Sequence, residues 1–108
     1  MLNPPESTQV LDVGCNGSIM DKYLASRGYT VLAADIDPDA STYVNGEPRT
    51  NFTLTDCRKP PFAWHEKFSV ITIISTLEHL EAQDDTVMIV ALAKCLTVRG
   101  AMLVTVPY

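Results

Sequence analysis

Residues 68–75 read FSVITIIS, a run that is β-branched almost throughout. A strand with one wet face alternates apolar and polar side chains. A continuous apolar, β-branched run suits a strand buried on both faces, as in parallel sheets covered by helices. The flanking segments fit that constraint. Residues 9–14 (QVLDVG) form a short apolar run closed by Gly, and residues 29–34 (YTVLAA) form a second strand ended by Asp35-Ile36-Asp37-Pro38. Between them Ser18 and Asp21 match a capping box, Met20, Tyr23 and Leu24 share a helical face, and Gly28 takes the C-cap position. Residues 38–50 are a polar connection with room for a short helix, 51–55 (NFTLT) a third strand, and 56–61 a loop. Asp84 and Asp85 start a helix that runs to about Thr97, with Ile89, Leu92, Ala93 and Leu96 inward. Arg99-Gly100 turns the chain into a last strand, 101–106 (AMLVTV). Strand and helix alternate, so the expected class is α/β: a three-layer, Rossmann-like, mainly parallel sheet of about five strands with flanking helices.

With 108 residues, no linker and no repeat, the chain reads as one domain spanning 1–108. Apolar residues make up 46% and charged residues 19%, a globular balance. The longest apolar run, 87–93, falls short of the roughly 18 residues that cross a bilayer, so no membrane is expected. The opening MLNPPES has neither the basic patch nor the apolar core of a signal peptide. The net charge is -5 and Lys and Arg are scattered singly, which disfavours nucleic acid as a partner. Cys15, Cys57 and Cys95 are odd in number and lack CxxC spacing, which suits neither a disulfide framework nor a zinc knuckle and favours a reduced, cytoplasmic setting.

In an open parallel sheet, ligands bind beyond the carboxyl ends of the strands. After the first strand comes Asp12-Val13-Gly14-Cys15-Asn16-Gly17-Ser18. Gly14 and Gly17 permit a tight turn and close backbone approach, and Asn16 tolerates a positive φ. The loop opens into a capped helix whose free N–H groups favour an anionic group. Asp35 follows the second strand at about the spacing from the glycine loop at which a carboxylate binds a ribose diol. Asp56, Cys57 and the apolar Phe62 follow the third. The dinucleotide fingerprint G-x-G-x-x-G is not met, since the chain reads G-C-N-G-S-I from Gly14.

In order and spacing, VLDVGCNGS, VLAADIDP, LTDCRKPPF, FSVITIISTLEHL and LAKCLTVRGAMLVTVPY resemble the successive motifs of a class I, type 11-like S-adenosylmethionine-dependent methyltransferase. The resemblance implies an enzyme that transfers a methyl group from S-adenosyl-L-methionine. It implies that Asp12 and the loop of Gly14, Cys15, Asn16 and Gly17 hold the methionine end. Asp35 would bind the ribose hydroxyls and Ile36 would pack on the adenine. Asp56 would accept from the adenine amino group, with the Cys57 N–H at the ring and Ser75 near the transferable methyl. The LEHL and TVPY motifs resemble small-molecule methyltransferases, so a small-molecule acceptor is expected.

Glu78 and His79 are the candidates for a base; their plainer reading is a helix-starting pair bonded to a neighbouring loop. No metal is expected, because Ser75 stands where metal-binding relatives of this kind carry an acid. His65 reads as an exposed loop histidine, and Cys57 and Cys95 as packing residues. Compared with the family the chain is short at both ends and lacks the usual C-terminal antiparallel strand pair. The last strand is then a bare edge, which fits a fragment, a truncated homologue, or a chain whose edge a second copy or another partner covers. The alternative function is a non-catalytic or truncated cofactor-binding module that pairs through that edge.

Overall fold

A computed structural model of the chain describes residues 9–14, 20–44, 46, 48–74 and 84–105. Five strands form one sheet: β1 (Gln9–Val13), β2 (Thr30–Asp35), β3 (Thr50–Leu54), β4 (Phe68–Ile73) and β5 (Leu96–Val104). Their order is β3-β2-β1-β4-β5 and every pairing is parallel. The carboxyl ends therefore share one edge, where Val13 pairs with Ala34 and Ile73, and Asp35 with Leu54. The chain order reverses between β1 and β4, the switch point at which ligands bind in such sheets.

Helices α1 (Met20–Ser26), α2 (Ser41–Val44) and α3 (Asp84–Ala93) complete the layers. Alternation along β1 sends Val10 and Asp12 to one face and Leu11 and Val13 to the other. Val10 and Val31 pack with Ala25 of α1, while Ala33 packs with Ala40 and with Val44 of α2. Across the sheet, Leu11, Val13, Ile71 and Ile73 pack with Met88 and Leu92 of α3 and with Trp64. Ile71, Thr72 and Ile73 are consecutive and all buried, so β4 is covered on both faces, as FSVITIIS implies. Trp64 meets Phe68 edge-on, with centroids 5.6 Å apart, and each such buried side chain contributes roughly 1.5–3 kcal/mol.

Local signals hold at several boundaries. Gly28 N–H donates to Ala25 O and Tyr29 N–H to Leu24 O, closing α1 at the expected position. The 38–50 connection holds a 3-10 turn, Pro38–Ala40, capped by Asp37, and then α2.

The join between α3 and β5 differs from expectation. The helix stops at Ala93 rather than Thr97, and Ala93 is exposed, not inward. The carbonyls of Lys94 and Cys95 are taken by the N–H groups of Glu66, Lys67 and Phe68, which draws the chain into the sheet at Leu96. Leu96 thus packs on the core from a strand, although its spacing fits the helical face. The β-branched Thr97 and Val98 favour that outcome. Arg99-Gly100 is not a turn; it lies inside β5, at an irregularity where β5 advances from Leu96 to Ala101 while β4 advances only from Phe68 to Val70. A Cβ on Gly100 would lie 3.0 Å from both Leu96 Cδ2 and Thr97 O. Gly100→Ala should therefore lower stability by about 1–3 kcal/mol, read by urea denaturation, and an unchanged midpoint would contradict this packing.

Candidate functional site

Three carboxylates and a glycine define the described part of the carboxyl edge. Gly14 follows β1 with φ +72°, a backbone conformation that glycine adopts at no steric cost, and its N–H donates to Ala34 O at 2.8 Å. That bond carries the β1–β2 ladder past the end of β1 before the chain turns. At the end of β2, Asp35 is half-buried and its Oδ1 accepts from Asp37 N–H at 2.9 Å, an Asx turn that fixes the carboxylate at the edge. Ile36, next in sequence, is 65% exposed, an uncovered apolar side chain beside that carboxylate.

Asp12 is the most unusual of the set. It is fully buried on β1, opposite Thr72 of β4 in the ladder. Thr72 Oγ1 donates to Asp12 Oδ1 at 2.8 Å, whereas Oδ2 has no hydrogen-bond partner among the described residues. Asp21, also fully buried, comes from α1, which packs on the same face; its Oδ1 accepts from Lys22 N–H at 2.8 Å. Burial pushes the Asp12 carboxyl up to about 7; the Thr72 bond opposes the rise, and the negative charges of Asp21 and Asp35 add to it.

Asp56 sits in the opposite environment. Its Oδ1 accepts from Arg58 N–H at 3.0 Å and from Arg58 Nε at 2.9 Å, and its Oδ2 from Arg58 Nη2 at 2.8 Å. Arg58 Nη1 donates in turn to Asp84 Oδ2 at 2.9 Å, at the first residue of α3. These bonds hold the Asp56 carboxyl below its ordinary range.

The structure thus sets Gly14 just past β1, Asp35 at the end of β2 with Ile36 next to it, and Asp56 past β3, with Asp12 within β1. The Cys57 side chain is buried in the main core, so it packs rather than reacts. Cys95 is buried too, and burial raises its thiol. His65 is exposed and stacked on Phe62, at 6.2 Å between centroids. Ser18, Cys15, Asn16, Gly17, Ser75, Glu78 and His79 lie outside the described residues.

The sequence reading missed four partners. Thr72 is one residue of an apolar run, and only the register puts it opposite Asp12. Asp21 fits a cap by its spacing, yet its burial makes it a neighbour of Asp12. Arg58 stands two residues after Asp56, the one local signal available, but Asp84 is distant in sequence.

A parallel sheet with its order reversed at β1/β4, a glycine turn after β1 and acids at the end of β2 and just after β3 define an open, doubly wound α/β domain of the kind that meets ligands at its carboxyl edge. The chain belongs to the methyltransferase domain family, which it matches over residues 11–104. It is 29% identical over 80 residues to a ubiquinone biosynthesis O-methyltransferase of Hydrogenovibrio crunogenus, covering 69% of this chain and 33% of that protein. It is 33% identical over 81 residues to the protein of the same name from Actinobacillus pleuropneumoniae, covering 67% and 35%. The chain therefore spans about a third of the length of these relatives. In fold it is similar to the crystal structure of a TehB-like S-adenosylmethionine-dependent methyltransferase from Corynebacterium glutamicum. The TM-score is 0.74 at 22% identity, over 92% of this chain and 55% of that one.

The linkage at Asp12 is testable. Its folded-state value, about 7, exceeds the unfolded value near 4, so the unfolded chain releases this proton first as pH rises. Stability owed to the neutral carboxyl is full below pH ~4 and is lost by pH ~7. Asn cannot ionise and keeps an acceptor for Thr72. The stability of Asp12→Asn relative to the parent should therefore rise between pH 4 and 8 by about 2–5 kcal/mol. Urea denaturation at both pH values reads this, and an equal difference at each would remove the buried neutral carboxyl.

Proposed function

We propose that this chain binds S-adenosylmethionine at the carboxyl edge of β1, β2 and β3 and serves methyl transfer to a small-molecule acceptor. The carrying observation is the buried Asp12 carboxylate with Oδ2 unpartnered among the described residues, at the strand end where Gly14 turns the backbone away. A buried unpaired acceptor is costly. The α-ammonium of the methionine moiety is a donor and a cation, so it satisfies both the bond and the charge. When bound, the cofactor supplies an electrophilic methyl on a sulfonium, and the protein's part is positioning and electrostatics.

In this reading Asp12 holds the ammonium, Asp35 accepts from the ribose hydroxyls, Ile36 covers an adenine face, and Asp56 accepts from the adenine amino group. The assignment of Cys15, Asn16, Gly17 and the Cys57 N–H to the cofactor, of Ser75 to the methyl, and of Glu78 or His79 to a base rests on the resemblance of the motifs. The small acceptor is supported by the two relatives, both named as ubiquinone biosynthesis O-methyltransferases.

Calorimetric titration of the chain with S-adenosylhomocysteine, with NADH as control, tests the cofactor. Saturable binding of the first alone is expected; no binding by a folded chain would overturn the reading. Asp35→Ala should weaken that binding by about 1–3 kcal/mol, the scale of hydrogen bonds to a charged group, and an unchanged affinity would sink the ribose assignment. Affinity should also rise from pH 6 to pH 8 as Asp12 ionises, because the ligand's ammonium pairs only with the carboxylate form.

One observation favours the second reading, a pairing module. β5 ends the sheet, and its Val98 is 94% and its Leu103 52% exposed. Sedimentation showing a strict monomer would remove it.

A further inference from the structure

We propose that Arg58 is a positioning residue for base recognition: its guanidinium fork fixes the Asp56 carboxylate as the acceptor for the adenine amino group, and Asp84 at the start of α3 anchors the fork. This rests on the cofactor reading above and adds to it a residue outside the motif roles.

The argument begins with lone pairs. A carboxylate offers about four acceptor sites on its two oxygens. Arg58 takes three: N–H and Nε–H on Oδ1, Nη2–H on Oδ2. Oδ1 is thereby filled, and Oδ2 keeps one site whose direction is set by a planar fork. Asp56 lies between β3 and the turn Phe62–Trp64, where its carbonyl accepts from Lys59 N–H at 2.9 Å; that turn holds its backbone but does not orient its carboxylate. Without the fork its side chain would rotate among several rotamers. The fork needs an anchor of its own, because an arginine bonded only two residues back moves with the same loop. Nη1–H on Asp84 Oδ2 supplies one from an element 26 residues away. Asp56, Arg58 and Asp84 are all partly exposed, so their bonds contribute little to folding. Their larger effect is directional.

A loop staple and a positioning device predict different things. A staple alters how tightly the protein binds any ligand at that edge. A positioning device alters which base is preferred. The analogue of S-adenosylhomocysteine with unsubstituted purine as its base carries hydrogen where S-adenosylhomocysteine carries the amino donor and keeps N1 as an acceptor, so the ratio of the two affinities isolates the amino–carboxylate bond. The parent should prefer the adenine ligand by about tenfold or more, the worth of a hydrogen bond to a charged acceptor.

Arg58→Gln should bring that ratio within about threefold of unity. Arg58→Lys should do the same, since an ammonium restores the charge but not the fork. Melting curves establish that each variant is folded. A ratio that stays at the parent's value or increases in Arg58→Gln, or full restoration by Lys, overturns the positioning role while leaving cofactor binding intact. A parent that binds S-adenosylhomocysteine without preferring it removes Asp56 as the base acceptor, and this inference with it. A parent that binds neither ligand overturns the cofactor reading itself.

Discussion

The parallel pairing of β1 with β4 is the constraint on which the rest of the molecule depends. It joins the two halves of the chain, placing Val10, Leu11, Asp12 and Val13 opposite Val70, Ile71, Thr72 and Ile73. Both strands are internal and largely buried, so a slip of one residue would send either Asp12 into the α3-facing core or Ile71 to the other face. The Asp12–Thr72 bond exists only in the observed register. The same pairing creates the switch point, because β2 and β3 lie on one side of it and β5 on the other.

Much of this architecture was legible in local pattern. Residues 68–75 announced a strand covered on both faces, and a Gly or an Asp marked the ends of β1 and β2. These signals are strong because they act within a few residues: a β-branched run, a glycine turn, a proline that stops a ladder. The end of α3 was illegible for the opposite reason. Leu96 has the spacing of a helical face, and its strand role is imposed by Glu66, Lys67 and Phe68, whose N–H groups take the last carbonyls before it. The Arg99-Gly100 irregularity followed from the same error, since a chain already in the sheet at Leu96 must absorb its surplus length before Ala101.

The site divides along the same line. Gly14, Asp35 and Asp56 could be read from position, because strand ends in such sheets are where ligands meet protein. What each carboxylate experiences could not. Asp56 looks in sequence like Asp35, an acid after a strand, yet it is committed to a guanidinium while Asp35 closes an Asx turn. Asp12 is singled out in sequence by the family motif, but its full burial near Asp21, which comes from a helix the sequence connects only through a loop, has no local signal. Burial and partnership are tertiary quantities; spacing carries neither.

These environments give the edge an electrical direction. At β1, Asp12 is pushed up by burial and by the charges of Asp21 and Asp35, so a further negative charge is disfavoured there. Beyond β3, Arg58 balances Asp56 and holds it ionised. A ligand suited to both ends carries a cation at the first and a neutral base with an amino donor at the second. A dinucleotide would bring a pyrophosphate to the turn after β1, where the field of the buried acids opposes it. In the proposed cofactor reading, an aminoacyl-type nucleoside would bring an ammonium there instead, and pairing with it would favour the charged form of Asp12. The dinucleotide fingerprint is not met at Gly14, and the charges around Asp12 disfavour a pyrophosphate, so sequence spacing and electrostatics point away from the same ligand.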